Sequence, residues 1–434
     1  MLTERNFLLY STGRFVSLIG TGIQDIALAL FVLDITGSGA MMGLFLIVSM
    51  VPRLILVPFA GVVGDALNRK QIMVWMDYGR GVLILGLAFL AWEGMITIPL
   101  LLVAQFFASI MSSMFGPATS AMLPDLVDEK DFTRANSVMG SINSLSMIIG
   151  PAMGGIIYGL GGILFALLLN GISFLASGAS EMFIKYEQKT KKLAGFKMVI
   201  SDLKEGLYFI KDRRAITIMM SFVLMLNFLI VPMFTVLFPY VMRLVIGFSS
   251  RQFGLLQSTF LLGILGGNIV IGAFLASKRS DKLIIPGLMI QVVITVIFVF
   301  MIFPGSIAWL GGASWLMFGS LAAVFVGMGF FNAFVNTPFQ TTFQRLVPTS
   351  FRSRVFSVIE VMSQGIVPIG IGLVGIVLDI IPAYQVALML VIPAVILSLV
   401  FVGKYSKSVF KELNGDSGIV KKEIVGDKET SVEG

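Results

Sequence analysis

Predominantly apolar stretches long enough to cross a bilayer recur twelve times in this 434-residue chain, at roughly 7-33, 40-63, 71-92, 97-120, 135-159, 162-184, 216-244, 252-275, 284-304, 313-343, 355-379 and 382-403. About 20 such residues span the hydrocarbon core as a helix, and a helix satisfies its backbone hydrogen bonds internally where no water can. With 57% apolar and 13% charged residues and a mean hydropathy of +0.95, the chain carries more apolar surface than a soluble globule could hide. The expected fold class is therefore an all-α polytopic membrane protein. The joining loops are mostly short, so successive helices are expected to be antiparallel neighbours.

Lys and Arg orient such a chain. With the N-terminus placed in the cytoplasm, 26 of the 31 bases fall in the inner segments, and Arg14, Arg53, Arg80, Arg243 and Arg251 fall elsewhere. Both termini are thus expected to be cytoplasmic. The net charge of +7 does not indicate a nucleic-acid partner, because the bases lie between apolar runs rather than on one soluble face. No short apolar segment followed by a small-residue cleavage site precedes the first span, which is expected to be retained.

The hydrophilic segment Lys185 to Arg214 carries nine bases and separates six spans from six. The expected units are residues 1-184 as a first bundle, 185-215 as a linker, 216-403 as a second bundle and 404-434 as a flexible tail. In the linker, Phe196, Val199, Ile200, Leu203, Leu207 and Ile210 share one helical face, and Lys197, Asp202, Lys204, Glu205 and Lys211 fill the other. That pattern predicts a helix in the membrane interface that ties the halves together.

The halves repeat weakly. At an offset of 211, Gly43 matches Gly254 and Gly61 matches Gly272; at 220, Arg134, Ser137, Val138 and Gly150 match Arg354, Ser357, Val358 and Gly370. Parallel six-helix repeats place a pseudo-twofold axis along the membrane normal and a binding site between the halves near mid-membrane. In the second half, Ala276 and Ser280 stand where Asp65 and Arg69 would recur.

Twelve spans in two halves, Gly61-x-x-x-Asp65-x-x-x-Arg69-Lys70 after the second span, and Gly150-Pro151-x-x-Gly154-Gly155 in the fifth resemble the major facilitator superfamily. Phe115-Gly116-Pro117-Ala118, Leu123-Pro124-Asp125-Leu126-Val127, Arg134-Ala135-Asn136-Ser137, Arg345-Leu346-Val347-Pro348 and Arg354-Val355-Phe356-Ser357 are similar to its bacterial macrolide and siderophore exporters. The resemblance implies two pseudo-symmetric six-helix bundles in a bacterial cytoplasmic membrane. It also implies that Asp65 faces the inner end of the eleventh helix, with Arg69 as partner charge, and that Gly61, Lys70 and Arg354 belong to the same gate. The family's pattern has a base and a Gly where this chain has Ala66 and Asn68. Ser137, Ser146, Gly150 and Gly154 read as a close-packing surface, and Pro151 breaks the backbone ladder beside it. In the family this motif accompanies antiport, though a packed kink alone would account for the residues equally well.

An ionisable side chain in mid-span costs about 2.5–3.5 kcal/mol on insertion scales, so each is a functional candidate. Arg14 and Asp25 are eleven residues apart, which puts them on nearly the same helix face, about 16 Å apart along the axis. Gln24 adjoins the acid, and Arg53 lies at a depth between the two charges. Asp25, Arg14 and Arg53 are expected to line a central cavity, with Asp25 as proton acceptor or cation contact and Arg53 as its partner or an anion contact. A fixed structural Asp25–Arg53 pair is the alternative. Glu360 is expected to be partly buried, as a second proton site or a member of the inner gate. Asp77 and Arg80 are spaced to pair near the inner end of the third helix, where a structural or gating role is expected, and Glu181 is expected to reach the interface. The 37 Phe and 26 Met could form an adaptable lining, although lipid-facing positions explain them more simply.

The chain has no Cys and no His, and no Gly-rich phosphate loop ending in Lys-Ser or Lys-Thr. No metal, cofactor or enzymatic centre is expected. Internal duplication favours alternating access over a channel. The expected function is proton-coupled efflux of lipophilic drugs such as macrolides by a monomer in lipid. Export of a siderophore, movement of a lysolipid-like amphiphile, or a non-transporting receptor or scaffold are the alternatives.

Overall fold

The apolar stretches fold as helices of nearly the expected bounds. The computed structural model describes residues 5–186, 196–275, 277–347 and 351–413, and within these the side chains at 58, 60–66, 196–197, 343, 345–346, 353 and 411–413 are not described. In the first half, α1 spans Arg5–Thr36, α2 Gly39–Ala66, α3 Arg69–Trp92 and α4 Ile98–Met122. Asn68, where the family motif has Gly, caps α3: its side-chain oxygen accepts from the Gln71 amide at 3.3 Å.

The next helical run, Phe132–Met182, is interrupted at Gly162, whose backbone lies at φ 61°, ψ −157°. That region is essentially restricted to glycine. A Cβ at this position would meet nothing within 4 Å, so the demand is conformational rather than one of space. The break divides the run into α5 (132–161) and α6 (163–182). Eleven segments among the described residues are long and apolar enough to cross a membrane, and this division of one of them gives twelve.

In the second half, α7 spans Arg214–Val245, α8 Ser250–Leu275, α9 Asp281–Met301 and α10 Trp315–Leu346. Helix α11 runs Arg352–Gly365 and resumes at Val367–Leu378, and α12 runs Ala383–Val400. Pro232 and Pro239 remove two backbone donors from α7, and widened turns at Met233–Leu237 and Val241–Val245 follow them. The first ten residues of the expected tail at 404-434 are helical. Helix α12 continues through Phe401–Tyr405 into Ser406–Leu413, because Val409 and Phe410 still have apolar neighbours to bury against; residues 414–434 lie outside the described residues.

The two bundles meet through two glycine crossings related by the repeat. A Cβ on Gly43 of α2 would lie 3.0 Å from the Ile371 carbonyl oxygen and 3.7 Å from Gly375 Cα of α11. A Cβ on Gly254 of α8 would lie 2.4 Å from the Pro151 carbonyl oxygen and 2.9 Å from Gly155 Cα of α5. Gly254 is Gly43 shifted by 211 and Gly375 is Gly155 shifted by 220, so the pseudo-twofold exchanges one crossing for the other.

The linker helix, Phe196–Lys211, departs from a simple interfacial anchor. It buries Gly206, Phe209 and Ile210 against the protein, while Ile200 and Leu207 stay exposed. A Cβ on Gly206 would lie 2.7 Å from the Arg354 carbonyl oxygen, so the helix is seated directly on the start of α11.

Candidate functional site

A cavity of about 820 Å³ lies between the halves. Arg14, Gln24 and Asp25 of α1, Arg53 of α2, Arg80 of α3, and Arg354 and Glu360 of α11 all line it. The linker helix adds Val199, Asp202 and Leu203 at one end, called here the linker end. Small and polar groups, Ser17, Thr21, Ser49, Gln105, Ser109 and Ser112, fill much of the wall. Of the Phe and Met residues, Phe115, Phe174 and Met50 line it, so an aromatic and Met-rich lining is not what this cavity has.

Asp25 and Arg53 are both exposed to the cavity, within Coulombic reach of each other. Neither makes an ion pair or hydrogen bond with a described residue, so the structure does not hold them as a fixed pair. Gln24, by contrast, is buried and accepts from the Asn170 amide at 2.5 Å, and Ser173 donates to Asn170 Oδ1 at 3.1 Å. This ladder fastens α1 to α6 beside the exposed acid. Glu360, expected to be partly buried, is exposed, because the cavity opens in front of it.

Of the gate that the resemblance implied, the described residues show only the flanking side chains. The side chains of Gly61 and Asp65, and of Arg345, lie outside the described residues. Arg69 donates to Asp125 Oδ2 at 3.3 Å and to the Ala121 carbonyl at 3.1 Å at the end of α4. Tyr186 donates to the same Asp125 oxygen at 2.8 Å, and burial, with that acceptor, pushes its phenol up to about 12, so it stays a donor. Lys70 donates to the Met182 carbonyl at 2.8 Å. In the second half, Thr342 donates to Ser280 at 2.8 Å, a neutral bond where the first half has the Arg69 ion pair. Arg354 turns to the linker helix, with Nε 2.8 Å from Asp202 Oδ1 and Nη1 2.9 Å from Glu205 Oε2. Both acids were expected on the water face of that helix.

Asp77 and Arg80 form a buried ion pair, as their spacing implied. The Arg80 guanidinium lies 4.4 Å from the Phe115 ring centre and 4.3 Å from that of Phe174. Glu181 is a correction: it is 1% exposed and packs beside Asp77 instead of reaching the interface.

Gly150 and Gly154 press against α1, where added Cβ atoms would lie 2.9 Å from Gly22 Cα and from the Ile23 carbonyl oxygen. The Pro151 carbonyl faces Gly254 of the other half, and the buried Ser146 hydroxyl has no hydrogen-bond partner among the described residues. The same motif therefore packs α5 within its bundle and across the interface.

At the far end the halves are clasped by residues that the sequence reading passed over. Arg243 of α7 grips Asp34 of α1 with Nε at 2.6 Å and Nη2 at 2.9 Å, and Tyr158 donates to Asp34 at 3.0 Å. Asp379, after α11, accepts from the Ser38 hydroxyl and the Gly39 amide at 2.6 Å each, and from the Ala40 amide at 3.2 Å. It supplies the negative charge that the N-terminus of α2 favours. Arg243 had one visible signal: it is among the five bases outside the basic segments. The cavity is thus walled by both halves, reaches the linker helix at one end and is clasped at the opposite end.

Comparison with known proteins agrees with this architecture. The chain is 33% identical over 222 residues to the putative bacilysin exporter BacE of Bacillus amyloliquefaciens, covering 51% of this chain and 53% of that protein. It is 21% identical over 263 residues to macrolide efflux protein A of Streptococcus pyogenes, covering 60% and 65%. The chain spans about half the length of the first of these curated relatives. The crystal structure of the nucleoside transporter NupG superimposes with a TM-score of 0.71 at 13% identity, covering 93% of this chain and 99% of that one. The Major Facilitator Superfamily model matches residues 10–371, and the chain belongs to that superfamily.

Proposed function

We propose that this protein is a secondary transporter of a bacterial cytoplasmic membrane that exports small amphiphilic molecules by alternating access, driven by protons. The linker end is cytoplasmic, as the distribution of bases implies, and the conformation described is open inward. One observation carries the reading: a cavity between two pseudo-symmetric halves that is clasped at one end and reaches the linker helix at the other. A carrier needs such a site, with closures that alternate.

Asp25 is the proton acceptor in this scheme. It faces the cavity without a fixed partner, so a proton or a cationic cargo can occupy it in turn, while Arg53 keeps it from binding either too firmly. Cargo of macrolide type, an amphiphile with a cationic group, fits a wall that mixes Asp25 and Glu360 with Leu18, Met50, Leu54 and Val57. The exposed Arg53 and the nearby Arg14 favour a second cargo class, an anionic amphiphile such as a siderophore or a lysolipid. The protein acts as a monomer, each chain carrying its own cavity.

Transport into proteoliposomes with and without a pH gradient tests the scheme. Asp25→Asn is expected to lose the gradient-driven component by about tenfold or more, as one general acid–base group contributes at least that much, while still passing cargo down its own gradient. Undiminished gradient-driven transport by the variant would remove Asp25 from the coupling role. No transport of any macrolide, siderophore or lysolipid by the unmodified protein would reject the transporter reading.

A further inference from the structure

Behind the cavity wall, on the side of α3 and α6, two carboxyl groups are buried together. Asp77 is 0% and Glu181 1% exposed. Arg80 donates to Asp77 Oδ1, and the Ser177 hydroxyl donates to Glu181 Oε1 at 3.3 Å and also faces Asp77. Gly178 leaves room for the approach, since a Cβ there would already lie 3.5 Å from Asp77 Cβ. The remaining oxygens, Asp77 Oδ2 and Glu181 Oε2, have no hydrogen-bond partner among the described residues.

The charges facing this pair are Arg80 from α3 and Arg14 from α1, with Tyr10 of α1 and Ser177 of α6 as neutral neighbours. Helix α4 contributes Phe115 and Ser112, also neutral. Arg80 is committed to Asp77 and to two aromatic rings. Arg14 stands 5.2 Å from the Phe115 ring centre and forms no ion pair with Glu181. Two ionised carboxylates here would leave the Glu181 charge buried without a contact ion pair, which costs more than a neutral acid. One acidic proton spares the buried carboxylate that has no ion pair and gives an orphaned oxygen a donor.

We propose that Asp77 and Glu181 form a one-proton site, with the proton on Glu181 when the cavity is empty. Arg14 and Arg80 stand between this site and the cavity and line both. A cation entering the cavity adds positive charge beside them and weakens the hold on the proton. The O–H bond of Glu181 then breaks, its electron pair stays on the oxygen, and the proton leaves to cavity water. An anion at Arg14 draws positive potential away and tightens the proton. That sign gives exchange of protons against cationic cargo, a consequence that rests on the transporter reading; the protonation itself does not.

Infrared spectra of the full chain in lipid nanodiscs at neutral pH test it without any transport assay. A carbonyl stretch of a protonated carboxyl group, shifted in deuterium oxide, is expected in the unmodified protein and in Asp25→Asn, and its loss is expected in Glu181→Gln. Identical bands in the unmodified protein and a folded Glu181→Gln overturn the proposal. If Glu181→Gln does not fold, Ser177→Ala serves instead: removing the donor to Oε1 must shift the band, and an unshifted band is equally fatal. The spectra are repeated in sodium and in choline chloride, and a band that vanishes in sodium assigns the site to a metal cation and overturns the proton. Failure of every cargo to move would leave these spectral outcomes intact.

Discussion

Arg243 and Asp34 show what one side chain does for the state of this protein. Their two-pronged ion pair joins α7 to α1 at the far end, and both side chains are about a quarter exposed, 24% and 27%. Screening at that exposure limits the pair to about 1 kcal/mol. Asp34→Asn keeps the size of the side chain and removes the charge, so the population open at the far end is expected to rise about fivefold. Distances between spin labels across that end report the change, and unchanged distributions would deny the pair a gating role. Residues of this kind were hard to see in advance. Charges in mid-span announce themselves, which is why Asp25, Arg14, Arg53 and Arg80 were legible as cavity or gate candidates. Asp34, Asp379 and Glu181 stand near helix ends, where water is the default surrounding. Only the packed fold shows that Glu181 is enclosed and that Asp34 and Asp379 reach across to the other half.

At the scale of the element, hydropathy carried the outline because lipid permits so few solutions. What it did not carry were departures from regular helix. The break at Gly162 depends on a single backbone conformation, and Gly162→Ala is expected to cost about 1–3 kcal/mol, since that conformation is nearly closed to other residues. The paired control is Gly140→Ala: an added Cβ there meets nothing within 4 Å and the backbone is helical. The loss should appear as a melting temperature lowered by Gly162→Ala and not by Gly140→Ala, and equal effects of the two would refute the conformational account. The linker helix was legible as amphipathic, yet the role of its charged face was not. Asp202 and Glu205 read as solvated until the start of α11 is placed beside them.

For the whole molecule, the repeat legible in Gly43 and Gly254, which the fold extends to Gly155 and Gly375, fixes how the halves cross. Which end is open is not written in it, because both states use the same residues. The linker helix breaks this symmetry, being fastened at one end only. Arg354→Ala removes both of its ion pairs, whose side chains are 31% to 45% exposed. Discounted for that exposure, the loss is about 1 kcal/mol, enough for roughly fivefold faster hydrogen exchange over the described linker helix, 196–211. Exchange in α1 and α5 should not change, and an equal rise there would mean that Arg354 supports the bundles rather than the linker. The glycine crossings have a kinetic side as well. Interdigitated side chains must change rotamer to disengage, but at these crossings backbone lies against backbone. Such faces behave as a smooth bearing, parting without friction from trapped side chains. In the proposed cycle the time needed to open the far end is then set by the clasp of Asp34, Arg243 and Asp379 at its rim, and it can be tuned there one charge at a time without disturbing the surfaces that would turn.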